Sequence, residues 1–430
     1  MRIGIQTWGS EGDIRPFVAL GAALARRGHQ VELVYTEIGD RRYEAVAEAL
    51  GFTARAVSSP IVDGDRAIAI GLKVLGTRDQ LQQGLIIARD LLEPVMAPMH
   101  EAAVDLCRRS DLLIHHFILH GARAAADLAG VPTVTMQFAH MLIPSRHIHP
   151  PGTPRLGEWW NALAWKIGRF ALNRTLLKDV NRFRAPLGLA PFADLIDHAW
   201  PAPLLNLVAC SPAFLDRPDD WPACHRMCGF VELPSHEHEA VSREVDAFLS
   251  SGPAPVFMGF GSLMPIAGNV HSDDTLRTFE EAARRAGCRA IIQSDADLAS
   301  TEGVLYVKRT PHKLVFPRCA AVVHHAGAGT THATLRAGVP SIPVPHVSDQ
   351  FGWSEELQRL GVAPSPLRRT RLTAAALASR ITETLNDPTK KAAAMSMRAR
   401  MQTDNGAETA AGLIESAFAR SATAGQAAVE

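Results

Sequence analysis

"AVVHHAGAGTTHATLRAG", from Ala321 to Gly338, is the stretch on which the reading of this chain turns. Ala321–Val323 is apolar and mostly β-branched, as in a buried strand. Two histidines and a run of small residues follow. From Thr331 to Ala337 the pattern is helical, and Gly338 and Val339-Pro340 stop it. Between strand and helix, Ala326–Gly329 carries no bulky side chain to hold a ligand away from the backbone. The first N–H groups of the helix face the loop mouth, where the helix dipole favours negative charge. His325 and the Thr330 hydroxyl add hydrogen-bond donors. The anion this predicts is a phosphate. An ordinary βα turn over a buried histidine would show the same local pattern.

The same order opens the chain, in "MRIGIQTWGSEGDIRPFVALGAALARRGHQVELVYT" (1–36). Ile3–Thr7 reads as a strand. Phe17, Leu20, Gly21 and Leu24 mark one helical face, Gly28 ends the helix, and Val31–Tyr35 is the next strand. Further strand-like runs are Leu112–Phe117, Thr133–Phe138 and Leu204–Ala209. Leu233–Gly252 is polar and bounded by Pro and Gly, a linker with one connecting helix. Alternation restarts at "APVFMGFGSL" (254–263) and continues through "RAIIQ", "VLYV", "AVVHH" and "PSIPVP". The expectation is an α/β chain of two Rossmann-like, doubly wound domains facing each other across a cleft. Residues 1–235 form the first domain and 236–420 the second, with the last helices free to pack back on the first. Residues 421–430 are expected as a flexible tail. The first βα turn reads Gly4-x4-Gly9-x2-Gly12, which is no dinucleotide fingerprint, and no P-loop occurs.

Composition narrows the classes further. Across 430 residues, 47% are hydrophobic and 20% charged, and Lys+Arg and Asp+Glu both number 44. That balance gives no basic footprint for nucleic acid. No apolar run reaches the roughly 18 residues of a membrane span, and "MRIGIQTWG" has no signal-peptide character, so a cytoplasmic protein is expected. Six scattered cysteines fit reduced thiols. "CHRMC" (224–228) lacks a second ligand pair for zinc, and His140, His147 and His149 follow no metal pattern. No metal is expected.

Three motifs in order carry a resemblance: "GSEGDIRPFVALG" (9–21), "VFMGFGSL" (256–263) and "HHAGAGTTHATLRAGVPSIPVPHVSDQ" (324–350). Together they resemble the GT-B nucleotide-sugar glycosyltransferases, in the branch of sterol glucosyltransferases and bacterial natural-product enzymes. The likeness runs from Met1 to about Leu372 and is weak between about Ile61 and Trp200. It implies an inverting hexosyltransferase that uses a UDP- or dTDP-linked sugar as co-substrate, with no metal or other cofactor. The acceptor would be a hydroxyl of a hydrophobic small molecule such as a sterol, lipid or polyketide. Asp13 falls where this branch has its catalytic carboxylate. His325, Gly327, Ala328, Gly329 and Thr330 match the diphosphate loop, and Asp349 and Gln350 the pair that holds the sugar. Gly261 and Ser262, with Ser10 and Gly12, flank the phosphates, and Thr310 to His312 lies along the nucleoside. Ala326 stands where Gly is commoner. Ala333 and Arg309 replace the plant-type ribose and base contacts, leaving UDP and dTDP both open.

The residues support that chemistry on their own terms. An acceptor hydroxyl needs a base, and Asp13 begins a helix whose dipole keeps a carboxylate ionised; an N-cap would look the same. A departing diphosphate needs donors, which His325 and the loop amides provide. The triplets Asp63–Asp65 and Asp295–Asp297 lack a metal-binding context. "RLGEWWNALAWKIGRF" (155–170) holds three of the seven tryptophans on an amphipathic helix. It reads as an acceptor wall through Trp159 and Trp160, as a transient membrane-surface contact, or as core packing. Trp8 and His140 are further acceptor candidates of the N-terminal half. A monomer or weak dimer is expected. Two alternatives share these features: a sugar-nucleotide 2-epimerase, and a non-catalytic nucleotide-sugar-binding partner protein.

Overall fold

A computed structural model describes residues 1–39, 41–58, 64–233, 240–261, 268–296, 298–301 and 303–427. The chain divides into two compact units. One comprises Met1–Ile70, Gly84–Pro234 and Asp404–Glu430, the other Gly71–Gln83 and Ser235–Thr403.

In the first unit, seven strands form one sheet: β1 (Arg2–Gly9), β2 (Gln30–Glu37), β3 (Thr53–Ala56), β4 (Leu112–His116), β5 (Thr133–Gln137), β6 (Leu205–Val208) and β7 (His225–Met227). Their order is β3-β2-β1-β4-β5-β6-β7, and every pairing is parallel. Helices on both faces bury the strands almost without a break: all of β4 and β5, and seven of the eight residues of β1. The helix Glu11–Arg26 lays Phe17, Leu20 and Leu24 against Ile3, Ile5 and Ile114. The C-terminal helix Gly406–Ala427 adds Ala410, Ala411 and Ile414 to the same core. Arg26 and Arg27 pair with Glu408 and Glu415 at its rim, contacts worth about 0–1 kcal/mol each at such exposure. Because that helix continues to Ala427, the expected flexible tail from residue 421 begins inside regular structure.

The second unit repeats the scheme with five parallel strands: β8 (Val256–Gly259), β9 (Ala290–Gln293), β10 (Val304–Val307), β11 (Ala321–His324) and β12 (Ser341–Pro343). Their order is β10-β9-β8-β11-β12. Alternate residues feed two separate cores, as the strand period of two requires. Val256, Met258, Ile292 and Val323 pack on one face with Phe279 and Ile381, while Phe257, Ile291 and Val322 pack on the other with Val315, Phe316 and Val339. Of the polar connection after β7, the described part contains the helix Arg243–Ser250, capped where the Ser242 hydroxyl accepts from the Val245 N–H.

Both sheets reverse direction of winding at one place, between β1 and β4 and between β8 and β11. Ligands of open parallel sheets sit beyond the carboxyl ends of the strands at such a point. Asp13 follows β1 and His325 follows β11, so each of the two key sequence motifs lies at the switch point of its own sheet.

Candidate active site

In the first unit the site is built on the turn Gly9–Ser10. Ser10 caps the helix, and Asp13, three residues on, reaches back to it. The Ser10 N–H and hydroxyl both donate to Asp13 Oδ2, at 2.8 and 3.0 Å. Asp13 is therefore not the N-cap, and the Ser10 donors expected at the phosphates are given to Asp13. Gly9 makes this fold-back feasible. Its φ is 132°, and a Cβ there would lie 2.4 Å from Asp13 Oδ2. Gly12 is exposed on the first turn.

Asp13 keeps 35% of its side-chain surface open, and the remainder is enclosed. Burial raises its pKa from the usual carboxylate value to about 6, with the two Ser10 hydrogen bonds opposing the rise. The dipole-held, freely ionised carboxylate expected from sequence is thus corrected towards a base with appreciable proton affinity. Water on the open third restrains that rise.

His116, at the carboxyl end of β4, brings its Nε2 to 3.9 Å from Asp13 Oδ1. Its Nδ1 accepts from the Ile118 N–H at 3.4 Å, which places the ring proton on Nε2, towards the carboxylate. Phe117 stacks on the ring, with Phe17 and Phe138 close by. Burial, reinforced by His115, lowers its pKa to about 3, so the imidazole is neutral. Sequence reading passed over this residue. The available signal was a pair of histidines, His115 and His116, ending an apolar run, but the neighbouring of β1 and β4 across a hundred residues is a property of the sheet order.

The other acceptor candidates fare differently. Trp8 is buried within β1, and His140 is buried with its Nδ1 3.4 Å from Cys210 Sγ. Trp160 is half-buried, and Trp159 points to solvent. An open cavity of about 400 Å³ lies between the helices Glu93–Cys107 and Lys178–Arg184. Its lining is mixed, with Ala97, Phe183, Pro186 and Leu187 beside Glu93, Glu101, Asp179 and Arg182, and it contains none of the candidate residues.

In the second unit, the helix after β11 starts at Ala328 rather than Thr331. Gly327 is extended (φ −68°, ψ 152°), and its carbonyl accepts the first helical bond, from Thr331. Ala328, Gly329 and Thr330 are thus the first helical turn, the residues whose N–H groups an anion can use. The loop proper shrinks to His325–Gly327. A Cβ on Gly327 would meet His325 Nε2 at 2.4 Å, and one on Gly261 would meet its Cε1 at 3.3 Å, so two glycines seat the ring. Burial, then His312, brings His325 down to about 4 and leaves it neutral. His312 itself stacks on Phe316. His325 Nδ1, Thr310 Oγ1 and Thr331 Oγ1 are buried without a protein hydrogen-bond partner, three atoms a phosphate or ribose oxygen would satisfy. Ala326 adopts φ 60°, the left-handed region, which explains why glycine would be commoner there. Asp349 accepts the indole N–H of buried Trp353 at 3.1 Å. Gln350 Oε1 accepts from the His346 and Val347 N–H groups, so the amide expected on the sugar also fastens its own turn.

Ser262, Asp63 and Asp297 lie outside the described residues. Among the described residues one group has metal-ligand spacing, the exposed His147, Asp219 and Asp220. Its atoms are engaged with protein: Asp220 with Ser145 and the Arg146 N–H, Asp219 with His147 and Arg146. It gives no reason to assign a metal.

Residues 291–415 match the family described as "Erythromycin biosynthesis protein CIII-like, C-terminal domain". Over 439 aligned residues the chain is 30% identical to O-mycaminosyltylonolide 6-deoxyallosyltransferase of Streptomyces fradiae, covering 96% of this chain and 97% of that one. The chain belongs to the GT-B glycosyltransferases. This glycosyltransferase is also 27% identical to a sterol 3-beta-glucosyltransferase of Arabidopsis thaliana, over 95% of its own length and 67% of the plant protein. The vancomycin aglycone glucosyltransferase of Amycolatopsis orientalis is 29% identical over 98% of both chains. Among solved structures, the glycosyltransferase VinC in complex with dTDP aligns with TM-score 0.67, 20% identity and 98% and 100% coverage. The kitacinnamycin glycosyltransferase aligns with TM-score 0.68, 19% identity and 97% and 98% coverage. These structures carry the fold. The sequence relatives support a transferase and lend nothing to the epimerase alternative.

Proposed function

We propose that this glycosyltransferase moves a hexose, with inversion, from a dTDP- or UDP-linked donor to a hydroxyl of a hydrophobic small molecule. The donor is assigned to the second unit and the acceptor to the first. The observation that carries this is the pair of switch-point sites. One presents a base with an open oxygen, and the other presents helix N–H groups with a neutral histidine. Asp13 Oδ1 takes the hydroxyl proton as the oxygen attacks the anomeric carbon, and the nucleotide diphosphate leaves towards the Ala328–Thr330 amides and His325. Asp349 and Gln350 orient the sugar. His116 is a positioning residue: its neutral Nε2–H faces Oδ1 and keeps the carboxylate aligned. The reading extends to a metal-independent, cytoplasmic enzyme acting as a monomer or weak dimer, since amides and a histidine meet the diphosphate charge.

A panel of UDP- and dTDP-hexoses, followed by mass spectrometry with and without EDTA, tests it. Wild type should turn over one donor class and be unaffected by EDTA. Asp13→Asn should lose roughly 10²–10⁴-fold in kcat, about 3–5 kcal/mol of barrier, with donor affinity kept. Near-normal turnover by that variant would move the base elsewhere, and metal-rescuable loss in EDTA would sink the metal-free mechanism.

A further inference from the structure

The four most exposed large apolar side chains among the described residues fall in one short stretch of the first unit. They are Leu156 (67%), Trp159 (76%), Ile167 (58%) and Phe170 (68%), and no other exceeds 48%. Three of them stand on the helix Glu158–Leu172. Its opposite side is fastened to the unit: Asn161 and Ala164 are buried, the Asn161 amide donates to the Arg146 carbonyl, and the Trp165 indole donates to the Ile148 carbonyl. Trp159 and Phe170 are about three turns apart and project along one line, with Lys166 between them and Ile167 alongside. The helix is thereby anchored on one face and apolar on the other.

Charge on this face is one-signed. Arg169 is paired with Asp194 and Asp197, and Glu158 with His147. Lys166, Arg174 and Lys178 are exposed and have no carboxylate partner among the described residues. The position of Lys166 discriminates between occupants. At the centre of a protein–protein interface its ammonium would lose water without compensation, and lysine is depleted there. At a lipid surface its stem lies on the apolar boundary while the ammonium reaches headgroup phosphates. No helix among the described residues is long and apolar enough to cross a membrane, so such a helix lies flat in the interface.

We propose that the outer face of the helix Glu158–Leu172 seats the protein on an anionic lipid surface, with Trp159, Ile167 and Phe170 in the headgroup boundary and Lys166, Arg174 and Lys178 on lipid phosphates. An apolar acceptor concentrates in such a layer, and the contact stands whether or not Asp13 is the base.

Flotation of the full chain with vesicles tests this without donor or acceptor. With mixed phosphatidylglycerol and phosphatidylcholine the protein should float, and it should float less with phosphatidylcholine alone or at raised salt. Trp159→Ser with Phe170→Ser should weaken partitioning by at least about ten-fold. Lys166→Glu with Arg174→Glu, which spares the apolar side chains, should weaken it several-fold on the anionic vesicles only. All four sites are exposed, and thermal melting of each variant alongside wild type separates lost binding from lost folding. The proposal is overturned if wild type stays at the bottom with anionic vesicles, or if both double variants float like wild type. It is equally overturned if the serine variant abolishes a dimer in sedimentation while leaving flotation unchanged, which would make the face a self-association surface.

Discussion

His116 Nε2 stands 3.9 Å from Asp13 Oδ1, while Ser10 holds Oδ2 with both of its donors. The two carboxylate oxygens therefore have different duties, and a neutral imidazole faces the one assigned to chemistry. Activity should fall on the acid side as Asp13 takes its proton near pH 6. Removing the neutral N–H dipole in His116→Ala should move that limb to slightly higher pH and lower kcat by about two- to three-fold, since at 3.9 Å the ring faces the carboxylate without a hydrogen bond. His116→Gln, whose amide nitrogen can replace Nε2–H, should restore both. A pH–rate profile of the three proteins decides it; an unmoved acid limb in the alanine variant would make His116 mere packing.

Gly9→Ala should damage the base without touching it. The added Cβ would lie 2.4 Å from Asp13 Oδ2, at a φ of 132° that side chains avoid. Stability should drop by about 1–3 kcal/mol and turnover should fall, while titration calorimetry shows donor affinity unchanged. Loss of donor affinity in equal measure would mean that the turn also serves the phosphates.

His325→Ala should weaken donor binding by roughly ten- to a hundred-fold, the range for a hydrogen bond to a charged group. Gly327→Ala should do much the same by pushing the ring aside, since its Cβ would meet Nε2 at 2.4 Å. A bound diphosphate favours the charged ring, raising a pKa that burial holds near 4. Donor affinity of wild type should therefore strengthen as pH falls, and His325→Ala should lose that dependence. Parallel slopes in calorimetry would remove His325 from the phosphate contact.

Acid should unfold the protein well before its carboxylates are exhausted. Burial holds His115, His116, His120, His225, His324 and His325 at about 3 to 4, against 6.5 when unfolded. Between those values the unfolded chain binds more protons, so stability is complete above pH 6.5 and lost as pH falls towards 4. The slope is about 1.4 kcal/mol per pH unit for each group. Asp13 works the other way: its raised pKa means stability is gained as pH falls from about 6 to 3.8. Glu93 and His147, also raised, act in the same sense, and three opposing groups against six leave a net loss. Melting temperatures that stay flat from pH 7 to 5 would contradict it.

Strand, loop and small-residue turn were legible at Ala321–Gly338 because a buried parallel strand is a short continuous apolar run, and here the small-residue turn that follows distinguishes it from a buried helix. The start of the following helix was not. Ala328-Gly329-Thr330 has loop composition, and Gly327 in extended conformation sets the true beginning. Asp13 was found by motif, yet its neighbour His116 depends on β4 lying beside β1, which no local pattern encodes. The burial of Trp8 in β1 and of His140 in the short turn after β5 is likewise a property of the packed sheet, which residue type alone does not encode.

The Ser10 clamp has a bearing on regiochemistry. A carboxylate with both oxygens open can meet a hydroxyl from a wide arc, but with Oδ2 fixed only the remaining lone pairs of Oδ1 receive a proton. With Asp13 as the proposed base, the hydroxyl of a polyfunctional acceptor that receives the sugar should be the one whose O–H bond can point along that single direction. Exchanging the walls that hold the acceptor would alter which molecules enter; turning the carboxylate, by releasing Ser10, would alter which position on the same molecule receives the sugar.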